Sequence, residues 1–366
     1  MDNVDKQAFF LEADKKLYEE SAPSSTPAEI FTFGEMPQDV LEHHAKSILM
    51  QPFYYYTWQN VIIGGGGILS KNGNTFAPEY CFPSYIESML ENSPQLIEKY
   101  WLEALYDSNV KTIHINNSIY MPFHPNYIYG HFIVETLPKL LTIREEFENG
   151  KSHPVALPLN MPTWARNITE YVLPHAEFIA YNPFEERLLV DSAIIPPMMQ
   201  QKDHFHPRLK HLIDKFLLPR APEKKNPQRK IYLSRKNLNR DTVWHFIEDE
   251  QSIENIFQDY GYDIVYPETL SFHEQIELYR NCICIAGEYS SALHNSLFSQ
   301  DGTVVISLNW INWIQSRISA LKNQPVVYIS PIDGIHDWRS QHGGSQKLHF
   351  DVDLLQKALT FVEGKI

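Results

Sequence analysis

Cysteine is scarce in this chain, with three thiols, Cys81, Cys282 and Cys284, among 366 residues. Three thiols cannot build a disulfide framework. The last two, separated by one residue in an apolar stretch, would point to one face of a buried strand, so packed, reduced thiols are expected rather than metal ligands. No run approaches the ~20 apolar residues that a membrane helix needs. The opening, MDNVDKQAFFLEADKK, has neither the basic start nor the apolar core of a secretory signal, and the expectation is a cytoplasmic protein. The sequons at Asn116 and Asn167 then carry little meaning. Positive charge is in deficit, 31 Lys and Arg against 45 Asp and Glu, for a formal net charge of −14. That balance argues against nonspecific nucleic-acid binding but permits a local basic patch, so a small, locally recognised anion is the expected partner.

What the chain does contain is an alternation of strand and helix patterns. Ile231 to Arg235, Tyr262 to Glu268 and Cys282 to Glu288 read as short buried strands, while Ile253 to Tyr260, Phe272 to Arg280 and Ser291 to Phe298 carry apolar residues at helical spacing. Strand patterns at Thr303 to Leu308 and Pro325 to Ser330, with a helical segment around Asn312 to Lys322, extend the series. Such alternation implies a doubly wound parallel sheet with helices on its faces, and ligands bind such sheets at the carboxyl ends of the strands. Those ends hold Ser234, Arg235, Glu268, Glu288, Ser290 and Ser291.

The length suits two domains. Proline and charge replace apolar periodicity at Leu218 to Lys230, which places an expected N-terminal α/β domain at 1–218, a linker at 219–229, a ligand-binding domain at 230–340 and a returning C-terminal helix within 341–366. In the first half, Asn60 to Gly73 reads as a hairpin whose glycines form a turn. No GKS or GKT follows them, so a flexible turn or bulge is expected rather than a P-loop. Gly130 to Phe147 has helical spacing, with a kink or second helix start expected at Pro138. Strand patterns flank it.

Several residues have chemistry to offer. On a helix, His131 and Glu135 share a face, so the carboxylate can orient the imidazole as a proton acceptor; an ordinary surface pair has the same spacing. Ser234, Arg235, Lys236 and Arg240 follow a strand directly, where a guanidinium fork can bind two oxygens of a diphosphate, although a solvated basic loop would read the same way. Ser271 and Glu274 have the spacing of a capping box, whereas Glu268 is freer to meet ribose hydroxyls. Ser290 and Ser291 open a segment whose first amides can bind phosphate, or Ser290 simply caps it. The pairs His43 with His44 and His204 with His206 lack the companions of a zinc set and are taken as surface or loop residues.

In order, GHFIVETLPKLL, YLSRKNLNR, the Glu248 to Tyr279 segment and IAGEYSSALHNSLF resemble glycosyltransferase family 61, whose bacterial members are often described as capsular polysaccharide biosynthesis proteins. The resemblance runs over about Asn60 to Leu308. It implies a GT-B-like α/β fold, two Rossmann-like domains facing a central cleft, and inverting transfer of a hexose or pentose from a nucleotide-sugar donor, commonly UDP-linked, to a glycan hydroxyl. Position by position, His131 and Glu135 match the family's GH...E...P block, Arg235 its YLSR block, Glu250 its Asn-Glu pair, Glu274 and Gln275 its EQ pair, and Asn295 its final Asn. Tyr289 and Ser290 stand where the family has His-Gly, and Asp249 where it has Asn.

These residues give a transferase with His131 as base and Glu135 orienting or replacing it. Arg235, Lys236, Ser290 and Ser291 hold the diphosphate, with Glu268 or Glu274 at the ribose. Without a DxD-like motif beside a donor strand, no obligatory metal or cofactor is expected. The expected partners are a nucleotide-sugar donor and a glycan acceptor, without nucleic acid; peripheral association with a polysaccharide assembly complex at the inner face of the membrane stays open. The departures at Tyr289 and Ser290 also fit a catalytically silent nucleotide-sugar or glycan-binding protein.

Overall fold

Buried β-branched runs and capped amphipathic helices set the architecture of this α/β protein. The computed structural model describes residues 13–25, 29–36, 38, 41–42, 46–65, 67–71, 74–76, 109–123, 127–201, 204–220, 229–238, 245–309, 313–332 and 346–366. Arg240, Cys81 and the His43–His44 pair lie outside them. The chain forms two units, Met1–Ser21 with Gln51–Met199, and Ala22–Met50 with Gln200–Ile366.

The first unit carries an eight-stranded sheet in the order Phe178–Tyr181, Val155–Pro158, Lys111–Tyr120, Glu186–Ile195, Phe53–Gly64, Ile68–Lys71, Asn74–Phe76, with Asp14–Glu19 also paired to Phe53–Gly64. The first four strands run parallel. From Phe53–Gly64 onward the pairing is antiparallel. This sheet is therefore mixed, and the expected second Rossmann-like domain is replaced by a parallel half joined to a meander, because the glycine-rich turn reverses the chain after Gly64. Gly65 and Gly67 take positive φ there, +51° and +137°, which explains why glycine fills the turn.

The second unit is the doubly wound domain. Its six strands are all parallel, in the order Asp263–Val265, Arg229–Leu233, Cys282–Glu288, Val304–Leu308, Val326–Ile329, Ile30–Phe33. The five C-terminal strands thus follow a 2-1-3-4-5 order, whose topological switch point lies between Arg229–Leu233 and Cys282–Glu288. A Cβ on Gly287 would sit 3.1 Å from the Leu233 Cβ and 3.2 Å from its carbonyl oxygen, so the strands at the switch point approach too closely for a larger residue to enter without displacement. Cys282 and Cys284 are buried in this sheet as free thiols, and burial pushes both up to about 12.

The division differs from the expected one at 218. Ile30–Phe33 pairs with Val326–Ile329, nearly three hundred residues away, a partnership with no local sequence signal. The helix Arg208–Phe216 also belongs to the second unit, where Lys210 pairs with Asp301, and Lys322 with Asp214 and Asp301. Of the expected linker, 221–228 lie outside the described residues. His204 and His206 are buried, not on the surface, and His206 Nδ1 accepts the Arg208 N–H at 3.1 Å where that helix begins. The C-terminal helix Val352–Glu363, capped by Asp351, buries Leu355, Ala358, Leu359 and Val362 against Ile306, Leu308 and Ile329 of the second sheet.

Two helical expectations change in kind. Ser291–Phe298 is a 3-10 helix, and Ser290 makes no side-chain cap to it. Its residues from Leu293 to Phe298 are all buried. The segment around His131 is a short α-turn, Tyr129–His131, followed by a π-helix, Phe132–Thr136, and then the α-helix Leu137–Glu148. Pro138 lacks an N–H and its ring would clash with the carbonyl four residues back in a continuous α-helix. The wider π-turn, closed by the Leu137 N–H on the Phe132 carbonyl, lets Pro138 fall in the first turn of a new helix.

Candidate functional site

In the first unit, the π-turn presents the His131–Glu135 pair, with His131 Nδ1 2.7 Å from Glu135 Oε1. Trp164 fixes this stretch by edge contacts with Tyr129 at 5.4 Å and Phe132 at 5.3 Å between centroids. Burial opposes charge on the imidazole, but the hydrogen bond and charge of Glu135 outweigh it and raise the His131 pKa. Since an ionised carboxylate only accepts, Nδ1 carries the proton and Nε2 is left to act on a ligand.

In the second unit, the carboxyl end of Arg229–Leu233 gathers Ser234, Arg235, Lys236 and Glu250. Glu250 is the first residue of the helix Glu250–Asp259, which Asp249 caps by accepting the Ser252 N–H at 3.2 Å. That cap accounts for Asp at position 249. Glu250 Oε1 accepts the Tyr232 hydroxyl at 2.7 Å and makes a long contact of 3.5 Å with the Arg235 N–H. Burial pushes its carboxyl up to about 7, against the pull of the Tyr232 hydrogen bond. One turn on, buried Glu254 accepts Ser234 Oγ at 2.7 Å and Tyr266 Oη at 3.0 Å. Lys236 leans on the same helix, its ammonium on Gln251 and 3.5 Å from Glu254 Oε2. Ser234 and Lys236 thus brace the loop, while the Arg235 side chain crosses the switch point.

There it meets Glu288, the fully buried last residue of the central strand. Arg235 Nη1 lies 3.0 Å from Glu288 Oε2, and the other carboxylate oxygen is bonded to His245 Nδ1. Arg235 Nη1 also lies 3.3 Å from both the carbonyl oxygen and Nδ1 of His245. His245 opens the short strand His245–Ile247, paired with Gln346–Leu348 beside the main sheet. It was not legible as a site residue, because three residues of apolar pattern carry no sign of which loop they will face. Beside Glu288's partner Leu308, buried Asn309 holds a φ of +85°, a conformation unusual for a residue other than glycine and often found at binding edges.

The remaining expected residues separate from this cluster. Glu274 completes the capping box with Ser271, accepting its N–H at 2.8 Å and its hydroxyl at 2.6 Å. It also lines, with Tyr266, Thr269 and Leu270, a groove of about 460 Å³ along the edge strand Asp263–Val265. Gln275 and Asn295 are buried and bonded to each other at 2.7 Å, and Gln275 Nε2 reaches the Pro267 and Leu270 carbonyls at 3.2 and 3.1 Å. They join a helix to the 3-10 segment. Glu268 stands exposed on the Pro267–Thr269 turn. Ser290 and Ser291 are partly buried just beyond Glu288, and Tyr289 turns its ring towards Val326 and Tyr328. Among the described residues no three His, Cys, Asp or Glu side chains form a metal-ion set, and no helix is long and apolar enough to cross a membrane.

No curated protein matches the chain. The family model described as Glycosyltransferase 61 matches residues 129–306, from the turn that bears His131 to the strand beside Glu288. That span, just under half of the chain, is similar to glycosyltransferase family 61.

Proposed function

We propose that this glycosyltransferase moves a hexose or pentose, with inversion, from a nucleotide-sugar donor, preferentially UDP-linked, to a glycan hydroxyl in the synthesis of a capsular or other surface polysaccharide. The observation that carries the reading is Arg235 at the switch point of a doubly wound sheet, its Nη1 anchored on buried Glu288. A guanidinium held in this way is preorganised for the charge that grows on a departing diphosphate. The groove along Asp263–Val265 has room for the nucleoside, and Glu268, exposed on the neighbouring Pro267–Thr269 turn, is assigned to the ribose hydroxyls.

In the transfer, the acceptor oxygen attacks the anomeric carbon as the bond to the diphosphate oxygen breaks, and the acceptor's proton passes to His131 Nε2. Glu135 holds the ring in the tautomer that leaves Nε2 open and stabilises the imidazolium that forms. A site without an obligatory metal, and a cytoplasmic protein that associates peripherally with membrane-bound assembly machinery, belong to the same proposal. Incubation with UDP-, GDP- and CMP-sugars and a panel of glycans in EDTA, with the new linkage read by NMR, tests it. A product of inverted anomeric configuration is expected. A retained configuration or a strict metal requirement would refute those parts.

Tyr289 favours a second reading. With a packed phenol where the family has His, the chain would bind donor or glycan without turning it over. Donor binding with neither transfer nor donor hydrolysis would select this alternative.

A further inference from the structure

We propose that His245 is a second phosphate ligand of the donor site, acting beside Arg235, with Glu288 as the residue that positions both. The inference rests on the donor reading above and adds a residue and a division of labour to it. Glu288 has one oxygen on His245 Nδ1 and the other 3.0 Å from Arg235 Nη1, so a single buried carboxylate sets the direction of two basic side chains. The two are neighbours in their own right, with Arg235 Nη1 and His245 Nδ1 3.3 Å apart.

The opposite edges of these side chains are open. Among the described residues, nothing bonds His245 Nε2 or the Nε and Nη2 of Arg235, although the side chains are only 10 % and 14 % exposed. These edges keep contact with solvent, so a ligand rich in oxygens can reach them. A structural ion pair needs only the Glu288 side of each group. The open edges lie at the switch point, just past the carboxyl ends of two adjacent strands, where a doubly wound sheet binds phosphate. The ligand chemistry is the diphosphate of a nucleoside diphosphate, with one phosphoryl group on the guanidinium and the next at His245 Nε2.

The test uses the full chain with UDP, inorganic pyrophosphate and uridine, titrated by calorimetry. His245→Asn is the informative variant, because its amide can replace Nδ1–H on Glu288 while nothing replaces Nε2. It is expected to lose about tenfold or more in affinity for UDP and pyrophosphate, with uridine binding unchanged. Wild-type affinity for UDP and pyrophosphate in His245→Asn overturns the assignment of His245 and leaves the donor reading standing. No binding of UDP or pyrophosphate by the unaltered protein overturns both. If His245→Asn does not fold, carbethoxylation of His245 in the unaltered protein, mapped by mass spectrometry, decides: protection by pyrophosphate supports the role, and equal labelling with and without it refutes it.

Discussion

Glu288 and Arg235 meet across the switch point of the second sheet, 3.0 Å apart, the carboxylate closed to solvent and the guanidinium nearly so. Structure and binding are coupled in this pair, and two substitutions separate them. Arg235→Ala leaves a buried charge short of its partner and should destabilise the protein by roughly 3–5 kcal/mol. Adding Glu288→Gln removes the charge, so the double variant should recover most of the loss in a denaturant titration. Neither variant should recover donor affinity. A double variant that binds donor normally would take Arg235 out of the site.

Glu250 makes stability depend on pH in an unusual direction for a carboxylate. Its folded value, about 7, lies above the 4.5 of an unperturbed Glu. Below pH 4.5 the group is neutral in both states and the burial is uncompromised; as pH rises through 7 the folded protein must bury a charge, and stability falls. Glu250→Gln keeps an acceptor for Tyr232 and never ionises. The variant should therefore gain on the wild type by roughly 3 kcal/mol between pH 4.5 and pH 8. Parallel stability profiles would show that Glu250 does not titrate in this range.

His131 should set the alkaline rise of the reaction. Its raised pKa means that the base becomes available only above the usual imidazole value of 6.5. Glu135→Gln removes the raising influence and leaves burial, so the rise of kcat/KM with pH should move to lower pH. His131→Ala should cost on the order of 10² or more in kcat with the fold retained. An unshifted profile in Glu135→Gln would assign the base elsewhere.

Much of the second unit was legible in the sequence, for physical reasons that differ by element. Cys282–Glu288 and Val304–Leu308 are continuous apolar runs because both faces of a parallel sheet are covered. Phe272–Arg280 announces itself through Ser271 and Glu274, whose capping box is local chemistry. Ile30–Phe33 was not legible, since strand pairing across the chain is decided by packing and not by neighbours. The same holds for His245, which becomes a site residue only when its strand settles beside Glu288. The π-turn at Phe132–Thr136 was half legible: Pro138 announces an interruption, but not the form it takes.

Asn295 offers a further contrast, because its match to a family motif and its environment point to different roles. Buried and bonded to Gln275, it joins two elements. Asn295→Ala should cost about 1–3 kcal/mol by leaving the Gln275 carbonyl oxygen short of a donor, and its coupling to Gln275→Ala in a double-mutant cycle should be about 0.5–3 kcal/mol. Donor affinity of the folded variant should stay near the wild-type value. A selective loss of affinity without loss of stability would make Asn295 a ligand contact.

The central claim is that the carboxyl edge of the second sheet binds a nucleotide sugar through Arg235. Thermal unfolding of the full chain with UDP, GDP, CMP and their sugar conjugates tests it most directly, since a ligand of the native state raises its stability by about 2.7 kcal/mol at a hundred times Kd. One nucleotide class should raise Tm by roughly 5–10 °C, and Arg235→Ala should abolish the rise. No shift with any of them at saturating concentration, or an equal shift in Arg235→Ala, would contradict the account.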